Sequence, residues 1–185
     1  MSNTNRLYTL ILCALFCALC AIGAFIKIPL AWMPITLQTF FSTLSGLLLG
    51  KKWGAVSIAV YLALGLIGIP LFTQGGGIGY VLKPTFGFLL GLLPATFVTG
   101  ALYESSKKTW WSGFWASLVG ALVIYLVGLP YFYGIMTLYM NQAMTLSQLF
   151  FVYCLPTIPG DIVKCIVCAT VSIKLHAIVR QNLPV

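Results

Sequence analysis

The sequence predicts an all-α integral membrane protein of six transmembrane helices, with both termini cytoplasmic and no soluble domain. Hydrophobic residues make up 61% of the chain and charged residues 6%, where a soluble domain carries about 25% charged residues. Mean hydropathy is +1.04. The third observation is position: the basic residues stand in ones and twos between apolar runs, as topology signals do, and not in a stripe that would track nucleic acid. No long polar stretch could fold outside the bilayer and no internal repeat is evident, so residues 1–185 read as a single membrane-embedded domain.

The first apolar run covers residues 7–26 and ends at Lys27. Arg6 precedes it and Ala21-Ile22-Gly23-Ala24 resembles a cleavage site, but its length exceeds the usual h-region of a signal peptide, so it reads as a retained spanning helix. Residues 28–34, with Pro29, Trp32 and Pro34, suggest an interfacial connection. A second run, 35–50, stops at Lys51-Lys52, and a third, 53–69, stops at Pro70. Both are short for a bilayer core of about 30 Å. Phe72-Thr73-Gln74-Gly75-Gly76-Gly77-Ile78-Gly79-Tyr80 is a loop with a freed backbone. The fourth run is 85–102, and a polar turn follows at 104–108. The fifth is 110–129, ended by Pro130. An aromatic, mildly polar stretch with Asn141 and Gln142 and a short apolar piece, 148–155, lead to the last span, 159–179.

An even number of spans puts both termini on one side. Arg6, Lys51, Lys52, Lys107, Lys108, Lys174 and Arg180 then fall on the terminal side, with Lys27 and Lys83 opposite. That bias makes the terminal side cytoplasmic. The 27–36 connection, the glycine loop, Asn141 and the start of the last helix share the outer side, which makes that face a candidate external binding site.

The sharpest chemical signal is Pro159-Gly160-Asp161-Ile162-Val163-Lys164. Asp161 is the only aspartate, and Lys164 lies three positions on, on the same helix face. A charge in an apolar span costs about 2.5–3.5 kcal/mol near mid-membrane, so it marks a functional site by default. The competing reading is a structural ion pair, or a lysine snorkelling to the headgroups. A carboxylate beside an ammonium suits a ligand carrying an N–H donor together with a C=O or carboxylate.

Other motifs carry less. Gly75-Gly76-Gly77-x-Gly79 lacks the strand–turn–helix context of a dinucleotide site and the Lys-Ser/Thr of a P-loop. No Walker A pattern occurs in the chain, so it does not hydrolyse ATP by that route. Gly77-Ile78-Gly79-Tyr80 is too incomplete for a potassium filter. The six cysteines read as reduced packing thiols; Cys165-x-x-Cys168 has no second ligand pair and expects no metal or cofactor. One Asp, one Glu and one His give no catalytic dyad, so no enzyme is expected. Ala14-x-x-x-Ala18 and Gly87-x-x-x-Gly91 are small-residue pairs that suit either packing within the fold or docking to a partner membrane protein.

Taken in order, Pro34-Ile35-Thr36-Leu37-Gln38-Thr39-Phe40, Leu47-Leu48-Leu49-Gly50, Tyr61-x-x-x-Gly65-Leu66-Ile67-Gly68-Ile69-Pro70-x-Phe72, the glycine loop and Pro159-Gly160-Asp161-x-x-Lys164 resemble the BioY family over nearly the whole chain. These are the biotin-binding S components of energy-coupling factor (ECF) transporters. The resemblance implies six helices, a prokaryotic cell membrane, and high-affinity capture of biotin at the outer face. It implies a partner module of two cytoplasmic ATPases and a membrane coupling protein, the T component, docking on Ala14 and Ala18. It implies that Asp161 accepts from the ureido N–H while Lys164 donates to its carbonyl; alternatively Lys164 pairs with the valerate carboxylate. Gly75, Gly76, Gly77 and Tyr80 would cover the site, Gln38, Thr36 and Asn141 would add polar contacts, and Phe40, Phe72, Tyr80 and Phe86 would supply apolar walls. The family's usual Thr-Gly-Gly-Tyr is replaced by Thr85-Phe86-Gly87-Phe88, with Lys83 just before it as a compensating charge. Two other readings stand beside this one: a stand-alone proton-coupled secondary transporter or channel, with Asp161 as the coupling site, and an S component for another vitamin such as thiamin or riboflavin.

Overall fold

A computed structural model describes the backbone over residues 3–28 and 34–180. Most of the expected interfacial connection, Pro29 and Trp32 included, lies outside the described residues. Among the described residues the regular structure is helical apart from one two-residue strand pair. Helix α1 (Asn3–Phe25) covers the first apolar run. Strand β1 (Lys27–Ile28) then pairs antiparallel with β2 (Ile35–Thr36), which was not anticipated. Helix α2 runs Gln38–Leu66, α3 Phe86–Ser105 and α4 Trp110–Gly134. A short helical stretch begins with α5 (Leu146–Gln148) and continues through wide turns at Leu149–Cys154 and tight turns at Leu155–Thr157. Helix α6 (Ile158–Arg180) is the last described element. By length and apolarity, five helical segments of the described residues qualify as membrane spans.

The second of these segments is not straight. Gly50 sits at φ 79°, ψ 179°, conformations closed to an L side chain, and the backbone breaks there. The two arms of α2 lie side by side: a Cβ at Gly54 would come within 2.9 Å of the Ser45 carbonyl oxygen, and Gln38 Nε2 donates to Tyr61 Oη over 2.5 Å. A straight helix would hold residues 38 and 61 about 34 Å apart. The lysine pair Lys51-Lys52 follows the reversal directly.

Pro130 does not end α4. The helix continues through it to Gly134 and on in a wide turn at Ile135–Tyr139. Pro130 is exposed on the apolar surface, and apolar helices tolerate proline where local turns widen to re-satisfy the backbone. Pro94 is likewise inside α3.

Small residues let the helices approach. Gly46 abuts the Thr96 backbone, Gly91 the Ile124 backbone, and Gly113 abuts Ala169. Helices α2, α3, α4 and α6 pack in succession, α6 closing back onto α2, while α1 packs mainly on α2. Gly87 and Gly91 therefore serve packing between α3 and α4, whereas Ala14 and Ala18 are exposed. Lys51 abuts Gly100, and Trp110 Nε1 donates to Thr170 Oγ1 over 3.1 Å, so the basic turns gather at one end of the bundle. Lys27 and Lys83 both reach the 72–80 loop at the other.

The α2 hairpin should depend on glycine at position 54. Gly54→Ala pushes backbone against backbone and is expected to cost about 1–3 kcal/mol, read as a lowered thermal midpoint in detergent. Gly134→Ala, where an added Cβ meets nothing within 4 Å, should leave that midpoint unchanged or raise it slightly.

Candidate binding site

Asp161 and Lys164 are joined by a 2.6 Å ion pair and are largely shielded, with side-chain exposures of 19% and 13%. Helical turns precede Asp161 all the way from Leu146, so it stands within a longer helical path and not at a free helix start. Both partners are held by neighbouring elements. Tyr125 of α4 donates to Asp161 Oδ2, and Thr157 Oγ1 lies 2.6 Å from the same phenol oxygen. Lys164 donates to Thr39 Oγ1 at 2.7 Å and to the Thr36 carbonyl at 3.4 Å. The three N–H donors of the ammonium are thus occupied, the last by a long bond. The carboxylate retains acceptor lone pairs beyond those used by Lys164 and Tyr125.

The pair opens onto a cavity of about 110 Å³ between α2, α3, α4, α6 and the 72–80 loop. Thr36, Gln38, Thr39, Tyr125, Thr157, Asp161 and Lys164 form one polar wall. Ile35, Phe88, Leu89, Leu92, Ala121 and Ile124 form an apolar one. Thr73, Gln74, Tyr80 and Thr85 close the loop side. A small, mostly apolar cavity with a few placed polar groups is the ordinary form of a small-molecule site.

A second polar network ties the cavity to the loop. Gln38, 4% exposed, accepts from Thr36 Oγ1 at 3.2 Å and from Thr73 Oγ1 at 3.3 Å. Its partner Tyr61 donates to the Leu71 carbonyl at 3.2 Å. The glycines fold the loop back on α2: Gly77 N–H donates to the Gly65 carbonyl over 2.7 Å, and Gly75 and Gly77 take positive φ. Tyr80 packs on Phe72, and burial holds its phenol above its ordinary pKa range, so it stays a neutral hydrogen-bonding group.

Of the residues singled out from sequence, Asp161, Lys164, Gln38, Thr36 and Tyr80 line the cavity. Gly75, Gly76 and Gly77 shape the loop without lining it. Lys83 also lies off the lining; its Nζ donates to the carbonyl and Oε1 of Gln74, at 3.2 and 2.9 Å. Phe86 and Phe72 sit in the α2–α3 core, Phe40 packs on Phe41, and exposed Asn141 lies in the turn after α4. The apolar wall that Phe40, Phe72 and Phe86 were expected to form is built instead by Phe88 with Leu89, Leu92 and Ile124. Sequence reasoning missed Tyr125, Thr157 and Thr39. Tyr125 left one signal, a lone tyrosine amid the aliphatic residues of its span. Cys165 and Cys168 also line the cavity, and the six cysteines are unpaired thiols.

Comparison with known proteins shows what the whole chain is similar to. The BioY family model matches residues 1–181. The probable biotin transporter BioY of Lysinibacillus sphaericus is 40% identical over 98% of this chain and 93% of its own. The biotin transporter BioY of Thermotoga maritima is 36% identical over 90% of this chain and 94% of its own. The fold matches the crystal structure of the S component for biotin from an ECF-type ABC transporter with a TM-score of 0.82, at 29% identity over 96% of this chain and 95% of that one.

If the pair is mutually stabilising, Lys164→Met should cost about 3 kcal/mol by stranding a shielded carboxylate. The double variant Asp161→Asn/Lys164→Met should recover part of that loss. Thermal unfolding in detergent of these variants and of Asp161→Asn alone checks both, and a loss in the double variant equal to the sum of the two single losses would mean that the two side chains act independently.

Proposed function

The chain belongs to the BioY family, and on that premise we propose that it is the biotin-capturing S component of an ECF-type uptake transporter, with the Asp161–Lys164 cavity as its site. The observation that carries this reading is a charge couple kept shielded inside an apolar helix beside a small cavity. It is a binding subunit, not an enzyme. Asp161, with acceptor lone pairs to spare, takes a ureido N–H. Lys164 exchanges its long bond to the Thr36 carbonyl for one to the ureido oxygen. The apolar wall of Phe88, Leu89, Leu92 and Ile124 covers the fused rings. Tyr80, Gln38 and Thr36 complete the polar contacts, and Gly75, Gly76 and Gly77 let the loop close over the ligand.

Residues 1–185 act as one domain that crosses the membrane six times. The reversal at Gly50 supports this count, because it divides α2 into two crossings and puts Lys51-Lys52 on the same end as the other basic turns. Both termini are then cytoplasmic, and the cavity opens to the outside of a prokaryotic cell. The α2 arms, about 18 and 24 Å long as helices, cross only a thinned or locally covered bilayer. Energy comes from a T component and two ATPases, and the exposed Ala14 and Ala18 of α1 offer the T component a small-residue notch among the exposed Ile11, Leu15 and Ile22.

Biotin retention is the direct test. Asp161→Asn and Lys164→Ala should each weaken biotin binding at least about a hundredfold, measured by titration calorimetry, with helical content unchanged by circular dichroism; wild-type-like binding in both removes the site assignment. Mass spectrometry of ligand carried through purification should return biotin, not another vitamin. Ala14→Leu/Ala18→Leu should leave biotin binding intact while abolishing uptake with the partner module. Uptake by liposomes holding this chain alone, driven by a proton gradient, would replace the reading with a secondary transporter.

A further inference from the structure

The basic turn between α3 and α4 does not use all of its charge. Lys108 is folded onto the end of α3, where its ammonium donates to the carbonyls of Tyr103, Glu104 and Ser106. Lys107 is exposed, and among the described residues no carboxylate or carbonyl receives its ammonium; the same holds for Lys174 on α6. Glu104 and Asp161 are the only acidic residues in the sequence, and Asp161 is committed to Lys164. Glu104 alone cannot balance Lys51, Lys52, Lys107, Lys108 and Lys174, so this end of the bundle keeps a positive excess.

The two unused lysines flank one contact. Trp110 Nε1 donates to Thr170 Oγ1 over 3.1 Å, joining the first turn of α4 to α6. Lys107 lies three residues before Trp110, and its carbonyl accepts from Ser112 in that same first turn. Lys174 lies one turn beyond Thr170 on the same face of α6. In the other direction that face carries the exposed Ile166 and Val163. Phe114, one turn along α4, stacks on Trp110 with the rings 5° from parallel and 5.5 Å between centroids. The α4–α6 seam therefore has two ammoniums at its mouth, a flat aromatic stack on α4 and an aliphatic track on α6.

Depth in the bilayer follows from the neighbouring indoles. Trp111 and Trp115 are 63% and 57% exposed, and exposed tryptophans favour the headgroup level of a membrane. Lys107 and Lys174 then stand at the height of lipid phosphates. From Lys174 to Val163 the helix rises about 16 Å, close to one leaflet of a bilayer core of about 30 Å.

We infer that the basic end of the α4–α6 seam binds an anionic phospholipid: Lys107 and Lys174 pair with its headgroup, and an acyl chain lies along Ile166 and Val163. The aliphatic track running from the cations makes the occupant a lipid and not a free anion. A zwitterionic lipid brings its own ammonium against the two lysines and is the disfavoured competitor. The headgroup site is at the opposite end of the bundle from the 72–80 loop, and none of its residues lines the Asp161–Lys164 cavity.

The test titrates the purified protein with phosphatidylglycerol and with phosphatidylcholine of the same chains, and native mass spectrometry gives the two Kd values. Wild type should favour phosphatidylglycerol by about tenfold, since each lysine near an anionic headgroup contributes up to about fivefold. Lys107→Gln/Lys174→Gln should bring the ratio near one, and Lys107→Arg/Lys174→Arg should keep it. Lys51→Gln/Lys52→Gln removes the same charge from the same end and should leave the ratio unchanged. Glycerol 3-phosphate, the headgroup anion without chains, should not displace the lipid. A general folding defect weakens both lipids and cancels in the ratio. A wild-type ratio of one, or an equal fall in the Lys51–Lys52 variant, overturns the inference, because only a diffuse surface charge would remain. Displacement by glycerol 3-phosphate overturns it in favour of a free-anion site. Loss of the preference in the arginine variant also overturns it, because charge would then not be what the lysines supply.

Discussion

The structure depends on one constraint: a carboxylate and an ammonium must be made tolerable inside an apolar helix. Proximity alone does not achieve this, since desolvation of two ions can exceed their attraction. The remaining lone pairs and N–H groups need partners as well. Helix α4 contributes Tyr125 to the carboxylate, while β2 contributes the Thr36 carbonyl and the start of α2 contributes Thr39 to the ammonium. Helices α2, α4 and α6 are thereby tied at one level of the bundle. Hydroxyls and a backbone carbonyl do the work, and the cavity lies among these short groups.

The turn at Gly50 and the glycine contacts of α2 and α3 are what bring those partners within reach. The α2 hairpin sets Gln38 beside Tyr61. Gln38 in turn holds Thr73 of the loop. Residues 36–39 thus belong to two networks, one reaching α6 through Lys164 and one reaching the loop through Thr73 and Tyr61. A ligand that displaces the long bond between Lys164 and Thr36 acts on the segment that also anchors the loop. The coupling between site and lid is covalent over that short stretch, and no longer route through the bundle is required.

The helical class, the positions of the spans and the ion pair were legible because they are written in local pattern: apolar runs, basic turns, one aspartate with a lysine three residues on. What failed to show was tertiary. Tyr125 meets Asp161 only because α4 packs on α6. Phe86 and Phe88 are two residues apart, yet Phe86 packs into the core and Phe88 faces the cavity; only the rotation of α3 distinguishes them. Pro130 reads as a stop by local rules, but in an apolar helix the wide turn that follows re-satisfies the backbone and the helix runs on. The glycines of the loop suggested direct contact with a ligand; their positive φ values and the Gly77–Gly65 bond instead fold the loop onto α2.

That the charge couple is held by the protein's own side chains bears on how affinity arises. A site that assembled its ion pair on binding would spend much of the interaction ordering a long lysine side chain. Here that side chain is fixed by three partners, and the carboxylate by two. On the proposed site, binding would need only one exchange, of the 3.4 Å bond to the Thr36 carbonyl for a bond to the ligand, while the spare lone pairs of Asp161 would accept without displacing anything. Preorganisation of this kind lowers the cost of association, and it lets a small cavity in a small protein hold its ligand firmly. The same arrangement makes release hard by thermal motion alone. On the proposed reading, a partner that separated residues 36–39 from α6 would remove the Lys164 contacts together with the loop anchor at Thr73 and so open the site in one movement.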